Sequence, residues 1–418
     1  MANPKETLPI SVKRLYPRVL IGTLLTLSAI PQVCQAGLYT GAFNPTYNMG
    51  PESAWMNPAG MTGVKTVTLG LGVAGVIPVA KFDTTTAEAG GDDGGNSGVG
   101  SVLPSFFLVV PVFDQFRLGL SVFSPLGGPD GLGWDFGDNF AGRYGSQGLT
   151  FSSTAIAPSL AWQVNDELSI GVGVSAQWLR VDYSSAIDTP FQGDAKANVK
   201  GLEDWSVRYF VGTQYQITPS TSVGIVYRSK WDSNVRGDLE ITGLPREVPT
   251  EGFGLDLVLP QEVEFGIQHA LSETWILGLT FDWQNWSQFK NIGIDFRFHD
   301  GQVKSSVADI NWHDTYSGGI SLTHVMNEGN TFLDFGFTYS SSPVHDNDRI
   351  IQLPVDESYT VSLGVAHNVS KNLTYTLGGA VVISGNAPVD QVTQGYQFAG
   401  NFDTNVAIIL GGSLQYRF

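Results

Sequence analysis

Apolar and polar residues alternate along most of the chain after about residue 64, with the period of two that is typical of β-strands. Near the C-terminus, Leu414, Tyr416 and Phe418 fall on one face of such a strand. The residues between them, Gln415 and Arg417, fall on the other face. One apolar and one polar face suit a strand that stands between lipid and a wet interior.

Short polar turns divide these strands. They are predicted at residues 114–115, 165–167, 218–220, 272–273, 327–329 and 370–372. Longer polar loops are predicted at 83–100, 127–147, 186–200, 242–252, 298–304, 343–349 and 385–400. Short turns at one end and long loops at the other are typical of outer-membrane barrels with an even strand number. The sequence therefore predicts an all-β fold, a fourteen-stranded antiparallel transmembrane β-barrel over residues 64–418.

The composition excludes other classes of protein. A bundle of membrane helices needs apolar stretches of about 20 residues. Here a single apolar run of about a dozen residues occurs, near the N-terminus, so helical membrane proteins are excluded. The chain has 22 basic and 39 acidic residues, a net charge of −17, and we expect no nucleic-acid partner.

The N-terminal residues have the pattern of a secretory signal peptide. Lys13, Arg14 and Arg18 precede the apolar run Val19–Ile30, and a short segment that ends in Ala36 follows it. Basic residues, a short apolar core and small residues before a cleavage point are typical of export signals. We predict a signal peptide at 1–36. Its removal would take away Cys34, the single cysteine of the chain, and leave a mature protein without disulfides.

Residues 37–63 lack strand alternation. A fourteen-stranded barrel is too wide for its own side chains to fill, so something else must plug it. We interpret this segment, which contains Trp55, as an N-terminal hatch inside the lumen. The alternative is a disordered N-terminal tail.

Several short motifs resemble one family in content and order. The chain resembles the FadL/TodX-type outer-membrane transporters of long-chain fatty acids and hydrophobic compounds. The motifs are Asn57-Pro58-Ala59, Val226-Tyr227-Arg228-Ser229-Lys230, Leu259-Pro260, Trp286-Ser287-Gln288-Phe289, Asp314-Thr315-Tyr316 and Ser341-Ser342-Pro343-Val344.

This resemblance implies a fourteen-stranded barrel, a hatch that carries Asn57, Pro58 and Ala59, and passive diffusion of a hydrophobic ligand through a side opening at a kinked third strand. We place that lateral portal at the end of the third predicted strand. Its residues are Ser124, Pro125, Gly127 and Gly128. One departure is that residues 126–148 are few for the helical hairpin that captures ligand in well-known members, which leaves the ligand class open.

Charged residues on the strands are expected to face the lumen, because Arg or Lys on the lipid face costs about 2–4 kcal/mol at the midplane. Arg228 and Lys230 have two interpretations: they bind a ligand carboxylate, or they pair with acidic groups and pin the hatch. Arg143 lies in the predicted capture loop and is either a ligand contact or a solvated charge. The other charges expected inside are Arg208, Glu262, Glu264, Asp282 and Asp334.

Four phenylalanines are candidates for an apolar ligand pocket. A hydrophobic ligand needs such a pocket because water excludes it. The alternative for each is a contact with the hatch or with a neighbouring strand. The four are Phe106, Phe123, Phe140 and Phe210.

The sequence as a whole predicts a bacterial outer-membrane channel for passive uptake of hydrophobic small molecules, first of all long-chain fatty acids. The alternative ligands are aromatic or alkane hydrocarbons. A general porin and an outer-membrane lipase are further alternatives, but no Ser/His/Asp constellation is visible, so we predict that the chain is not an enzyme. No cofactor or metal is expected. The expected partners are the ligand, outer-membrane lipid, lipopolysaccharide and, through Phe418, the barrel insertion machinery.

Overall fold

A computed structural model describes residues 44–190, 193–245, 249–289, 291–352 and 354–418. The predicted signal peptide, 1–36, and residues 37–43 of the predicted hatch lie outside these described ranges.

The described residues form 21 strands of one antiparallel sheet, numbered here in chain order. The strands of the first half are β1 (Thr68–Ala87), β2 (Gly98–Val99), β3 (Ser101–Phe113), β4 (Phe116–Phe123), β5 (Leu132–Asp135), β6 (Gly148–Gln163), β7 (Leu168–Ile187), β8 (Ala195–Thr218), β9 (Thr221–Arg228) and β10 (Trp231–Thr242). Those of the second half are β11 (Glu251–Leu259), β12 (Glu262–Ala270), β13 (Trp275–Gln284), β14 (Asn291–Arg297), β15 (Val303–Asp309), β16 (Thr315–Met326), β17 (Thr331–Ser340), β18 (Ser358–Asn368), β19 (Leu373–Ser384), β20 (Val389–Thr393) and β21 (Tyr396–Arg417).

Helical structure is short. One α-helix, α1, covers Ser53–Met56, and 3-10 helices cover Pro58–Gly63, Trp286–Gln288, Asn327–Gly329 and Asp346–Asp348. Among the described residues, no helix has the length and apolar character needed to cross a membrane.

The sheet closes on itself, because β1 pairs with β21 from Thr68 opposite Arg417 onward. Seven of the fourteen barrel strands consist of two segments in line: β2 with β3, β4 with β5, β9 with β10, β11 with β12, β13 with β14, β15 with β16, and β19 with β20. The predicted fourteen-stranded antiparallel barrel is confirmed. The seven subdivided strands were not foreseen.

The two ends of the barrel differ as the sequence predicted. The six short turns join β3 to β4, β6 to β7, β8 to β9, β12 to β13, β16 to β17 and β18 to β19, all at one end. The longer connections lie at the other end. In outer-membrane barrels the short turns face the periplasm and the long loops face outward.

Alternation places apolar side chains on the outside of the wall. Val73, Ile77, Phe335, Phe337 and Leu414 are all at least 44% exposed. Such exposure in every second position would be unusual for a protein in water but suits contact with lipid.

Ladder pairing is interrupted after β4 and after β9, among other places. The first interruption is residues 124–131, between β4 and β5. The ladder with β6 stops at Phe123 opposite Ala155 and resumes at Leu132 opposite Phe151, so eight residues face three.

The second interruption is residues 229–235, which follow β9. Pairing with β8 stops at Phe210 opposite Arg228 and resumes at Glu203 opposite Arg236.

Candidate functional site

Residues 44–64, named here the N-terminal segment, lie within the barrel. They bond to strands on several sides of the lumen, which places the segment between them. The bonds are Asn44 Nδ2 to the Ile267 carbonyl (3.1 Å, β12), Gln214 Nε2 to the Pro45 carbonyl (2.9 Å, β8), Thr62 Oγ1 with Ser169 Oγ (2.8 Å, β7), Arg117 Nε to the Val64 carbonyl (2.7 Å, β4) and Gln415 Nε2 to the Met49 carbonyl (3.4 Å, β21).

Inward glycines make room for this segment. A Cβ added at Gly212 would overlap Asn57 Oδ1, and one at Gly171 would overlap the Ala59 backbone nitrogen. Gly119 and Gly266 meet the segment in the same way. Glycines at inward positions of separate strands are a sequence signal for a filled lumen that our sequence analysis missed.

Asn57, Pro58 and Ala59 form the tightest part of the contact. The Asn57 side chain is fully buried, donates to the Pro45 carbonyl (2.6 Å) and the Thr213 carbonyl (3.1 Å), and accepts from the Ala59 N–H (3.1 Å). It thereby caps the 3-10 helix that starts at Pro58. Asn57 therefore fixes the segment to β8 and shapes its second turn.

An aromatic cluster surrounds Trp55. The Trp55 ring is fully buried and lies 4.7 Å from Phe123 and 4.9 Å from Phe210, measured between ring centroids. Phe107 stacks on Phe123 at 6.4 Å. Two of the four predicted pocket phenylalanines thus meet at the N-terminal segment.

Phe106 does not join them, contrary to our prediction. It pairs with Leu71, a lipid-facing residue that is 50% exposed, and its neighbour Phe107 points inward. The run from Phe106 to Val110 is apolar at every position, so alternation alone assigns no face to it. The structure assigns the inner face to Phe107.

Arg228, at the end of β9, tethers the N-terminal segment. Its side chain is 1% exposed and pairs with Glu262 (3.1 Å) and Glu264 (2.9 Å). It also donates to the Trp55 carbonyl (3.2 Å) and the Met56 carbonyl (2.7 Å), the end of helix α1. These are the contacts of the second interpretation given above, in which Arg228 pins the segment.

Acidic groups match the two arginines around Arg228. Arg208 lies 3.5 Å from Glu262 and donates to the Ser229 carbonyl at 2.9 Å. Asp282, on β13, is also buried and lies next to this group. Two arginines thus face the carboxylates of Glu262 and Glu264, with the buried carboxyl group of Asp282 beside them. A further carboxylate, brought by a ligand, would find Arg208 and Arg228 already paired with these glutamates.

Lys230 differs from the prediction that it faces the lumen. Its side chain is 50% exposed and pairs with Asp232 at 2.9 Å, while the next residue, Trp231, is buried on the inner side. Because the strand breaks between β9 and β10, the alternation shifts by one residue after Arg228. Trp231 therefore occupies the inner position that unbroken alternation assigns to Lys230.

Arg143 lies in the loop between β5 and β6 and is held by several groups. It pairs with Asp194 at 2.7 Å and donates to the carbonyls of Gly90 (2.8 Å) and Ala89 (3.1 Å). Burial lowers the pKa of Arg143, but the hydrogen bonds and charges of Asp194 and Tyr144 together outweigh it and the pKa is raised. Burial and Asp194 raise the pKa of Tyr144 to about 12. Arg143 joins three loops and is not a freely solvated charge.

Phe140 belongs to a separate apolar cluster near the outer rim. It is fully buried and packs on Phe136 (4.5 Å), Phe398 (5.4 Å) and Phe82 (5.9 Å). The structure therefore does not bring Phe140 together with Phe123 and Phe210.

The predicted portal residues lie in the first interruption and are buried. Ser153 of β6 accepts from the Leu126 N–H through its hydroxyl (2.7 Å) and donates its own N–H to the Gly127 carbonyl (3.0 Å). The Gly128 N–H donates to Ser101 Oγ (2.9 Å). Gly127 has φ +112°, a conformation that favours glycine, and a Cβ at Gly128 would overlap the Val102 carbonyl. Side-chain bonds thus replace the strand ladder here.

Ser124 and Pro125 continue from Phe123 into the same buried stretch. Between β4 and β6 the structure describes β5 and no helix. The absence of a helical hairpin in residues 124–147 agrees with the departure from the family noted in the sequence.

The profile of the family described as "Outer membrane protein transport protein (OMPP1/FadL/TodX)" matches residues 37–418. The chain belongs to this family. It is therefore an outer-membrane transport protein for hydrophobic compounds and not an enzyme.

Individual relatives are distant but cover most of the chain. The "Long-chain fatty acid transport protein" of Salmonella typhi is 23% identical over 401 residues, which is 87% of each chain. "Outer membrane protein P1" of Haemophilus influenzae is 24% identical over 312 residues, 67% of this chain and 66% of the relative.

Two solved structures share the fold. A Pseudomonas aeruginosa FadL homologue superposes with a TM-score of 0.80 at 20% identity, covering 95% of this chain and 99% of the other. The P. putida toluene transporter TodX has a TM-score of 0.71 at 16% identity, with coverage of 92% and 98%.

Proposed function

We propose that the chain is a passive channel that takes up hydrophobic small molecules, first of all long-chain fatty acids. The curated relatives that match most of its length are named as long-chain fatty acid transport proteins. Passive uptake needs no energy source, provided that an apolar path connects the outer mouth to the membrane.

We propose that the ligand leaves the lumen sideways through the first interruption. The supporting observation is the ladder itself, in which eight residues of the third barrel strand face three of β6. Phe123, the last residue before the interruption, contacts Trp55 of the N-terminal segment. A movement of Trp55 would therefore change its contact with Phe123 at the edge of the opening.

We propose that the N-terminal segment acts as the hatch. It lies inside the barrel, and Arg228 ties its helix α1 to the wall through two carbonyls. A ligand that displaces Trp55 from Phe123 and Phe210 would shift the segment and join the outer apolar cluster to the first interruption.

Hydrocarbons, aromatic or alkane, are the second candidate ligands. The observation in their favour is that Arg228 already bonds two carboxylates and two carbonyls, and that Arg208 is paired with Glu262. Among the described residues around Trp55, this leaves no cation in excess to receive a ligand carboxylate. A neutral ligand would avoid that conflict.

We propose that the protein is exported and its signal peptide removed before the barrel inserts into the membrane. The family profile starts at residue 37, which supports removal of residues 1–36. We propose that Phe418, 66% exposed beside Tyr416, is presented to the barrel insertion machinery, and that lipid and lipopolysaccharide surround the wall.

Uptake by intact cells tests the ligand class. Radiolabelled oleate and labelled toluene are offered separately to cells that lack their own transporter, with and without this protein. Faster entry of oleate alone supports the fatty-acid proposal, and faster entry of toluene alone replaces it with the hydrocarbon one. Unchanged entry of both, with the barrel correctly inserted, would contradict the proposed function.

A further inference from the structure

Buried polar side chains line the inner wall beneath the aromatic cluster around Trp55. The Trp55 ring contacts Phe123 on β4 and Phe210 on β8, and β6 and β7 are the strands between these two. The indole therefore lies over inward side chains of β6 and β7. On β6 these are the small residues Ala155 and Ala157, which belong to the same cluster.

On β7 and on β4 the neighbouring inward residues are polar. Gln177 is paired with Ala155, which in turn is paired with Phe123, so these three side chains follow one another across the wall. Ser175 precedes Gln177 on the same face of β7, and Ser121 precedes Phe123 on the same face of β4. We name Ser121, Ser175 and Gln177 the polar row; all three are fully buried.

Two residues of the polar row have an unused hydrogen-bonding atom. Gln177 Nε2 donates to Ser175 Oγ at 3.2 Å, which orients the amide and leaves Oε1 as an acceptor. Within the part of the chain that the structure describes, neither Gln177 Oε1 nor Ser121 Oγ has a partner. Such atoms are rare in native interiors, because a buried polar atom without a partner costs free energy. Their position beside the first interruption indicates a role in binding.

The polar row itself is uncharged. Arg208 stands opposite Ser175 on β8. Its guanidinium donates to the Ser229 carbonyl at 2.9 Å and lies 3.5 Å from Glu262, which matches its charge. An ionised carboxylate buried at Gln177 would lose its hydration without gaining a cation, and it would face the amide oxygen. A ligand with a hydroxyl hydrogen would instead donate to that oxygen.

We propose that the polar row binds the uncharged carboxyl group of a long-chain acid on its way from the lumen to the first interruption. This inference rests on the proposed function, since Trp55 must move before a ligand can reach the row. The carboxyl hydroxyl donates to Gln177 Oε1, and the carboxyl carbonyl accepts from the Ser121 hydroxyl. The hydrocarbon chain takes the place of the indole beside Phe123. Burial among aromatic rings favours the uncharged form of the acid.

Equilibrium binding of radiolabelled oleate to the purified full chain in detergent tests the proposal. It is measured at about pH 5 and about pH 8, because a carboxyl group in apolar surroundings titrates between these values. We expect the wild type to bind several-fold more tightly at the lower pH. Gln177→Leu keeps the size of the side chain but removes its amide, and should bind about tenfold more weakly at that pH. Wild-type binding that is equal at both pH values, or tighter at the higher, would overturn the proposal.

Ser121→Ala is the second variant, since it removes a single hydroxyl and does not depend on how the barrel tolerates Gln177→Leu. It should weaken binding several-fold at the lower pH. Ser185→Ala is the matched control. Ser185 also carries a buried hydroxyl on β7 that has no partner among the described residues, but it lies eight positions from Gln177 toward the outer end. Equal binding by all three variants would overturn the polar row as the site.

Oleyl alcohol separates titration of the ligand from titration of the protein. It offers a hydroxyl donor that stays uncharged at both pH values, so we expect equal binding at both and weaker binding by Gln177→Leu. A pH dependence like that of the acid would place the titrating group in the protein and overturn the assignment. No binding of oleate by the wild type at either pH would contradict the fatty-acid function together with the polar row, whereas the other outcomes concern the row alone.

Discussion

Two interruptions of the barrel wall meet the same ring of the N-terminal segment, yet they are closed in different ways. At the first, Phe123 ends β4 and touches Trp55, and the chain then continues through small residues. Ser153 and Ser101 satisfy the backbone there by single side-chain bonds.

At the second interruption a large ring replaces the missing ladder. Trp231 is 2% exposed, and its Nε1 donates to Ser206 Oγ of β8. Asp204 of β8 accepts from the Asn234 N–H (2.8 Å) and from the Ser233 hydroxyl (3.2 Å). The space between β8 and β10 is therefore filled by an indole and bridged by a carboxylate.

The comparison teaches what makes an interruption usable as an opening. Ladder hydrogen bonds between neighbouring strands are missing at both interruptions. Only at the second is the space filled by a ring, the indole of Trp231. At the first interruption the glycine and serine contacts are joined by one buried aliphatic side chain, that of Leu126, which is smaller than an indole. Removal of Trp231 from its site at the second would cost about 3–5 kcal/mol. This difference favours the first interruption as the exit.

The largest expected effect comes from Arg228, the tether beside the second interruption. Arg228→Gln leaves Glu264 without its ion-pair partner and Glu262 with Arg208 alone, and loss of a partner from a buried pair costs about 3–5 kcal/mol. It also frees helix α1. We expect a clear rise in ion conductance in planar bilayers, together with a lower unfolding temperature.

Arg180→Gln is the matched control, because Arg180 is 40% exposed and pairs with Asp182 on the surface. Conductance of the Arg228 variant at the level of this control would show that Arg228 does not hold the segment.

The next largest effect is expected at Trp231. It tests whether the filling side chain is what keeps the second interruption closed. Trp231→Ala removes the filling ring and should destabilise the barrel by about 3–5 kcal/mol. If filling is what keeps the second interruption closed, this variant gains a second lateral path. We expect a higher rate of oleate uptake than in the wild type at equal amounts of folded protein. A lower rate would argue against the role of filling, and Trp231→Phe should retain most of the closure.

A smaller effect is expected at Gly127. It tests whether the backbone shape of the first interruption matters for uptake. Its φ of +112° and the overlap of an added Cβ with the Phe151 carbonyl disfavour any other residue. Gly127→Ala should cost about 1–3 kcal/mol and lower uptake several-fold. Gly137→Ala, at a positive φ with open space around it, gives the control for backbone strain alone. Equal uptake by the two variants would mean that the shape of the first interruption does not matter.

The smallest effect is expected at Lys230, at the outer side of the second interruption. Its pair with Asp232 is half exposed, and such pairs contribute about 0–1 kcal/mol. Lys230→Gln should change neither oleate uptake nor stability measurably. A strong loss of oleate uptake, with toluene uptake unchanged, would restore the interpretation that Lys230 receives a ligand carboxylate.

Much of the barrel follows from local rules that a sequence shows. The turns at 114–115, 218–220 and 370–372 are polar interruptions of a period-two pattern, and the structure has strand connections at each. Closure by β1 and β21 follows from an even strand number and the need to satisfy backbone groups in lipid.

The rest depends on contacts between distant residues. The alternation of apolar and polar residues around Arg228 does not show the strand break that turns Lys230 outward. In the structure this break accompanies contacts of Trp231 with β8 and β11, which are distant in sequence. The role of Arg228 requires knowing that Trp55 and Met56, more than 170 positions away, reach its guanidinium. Phe106 lies in an apolar run that has no polar face to read.

Closing the first interruption tests the central proposal most directly. Shortening residues 124–131 to three residues would match the three residues of β6 that they face, and would let β4 continue into β5. The account predicts that oleate uptake falls to the level of cells without the protein, while the barrel still inserts. Shortening the hairpin tip at 298–302 should leave uptake unchanged. Uptake at the wild-type rate with a closed first interruption would contradict a lateral exit there.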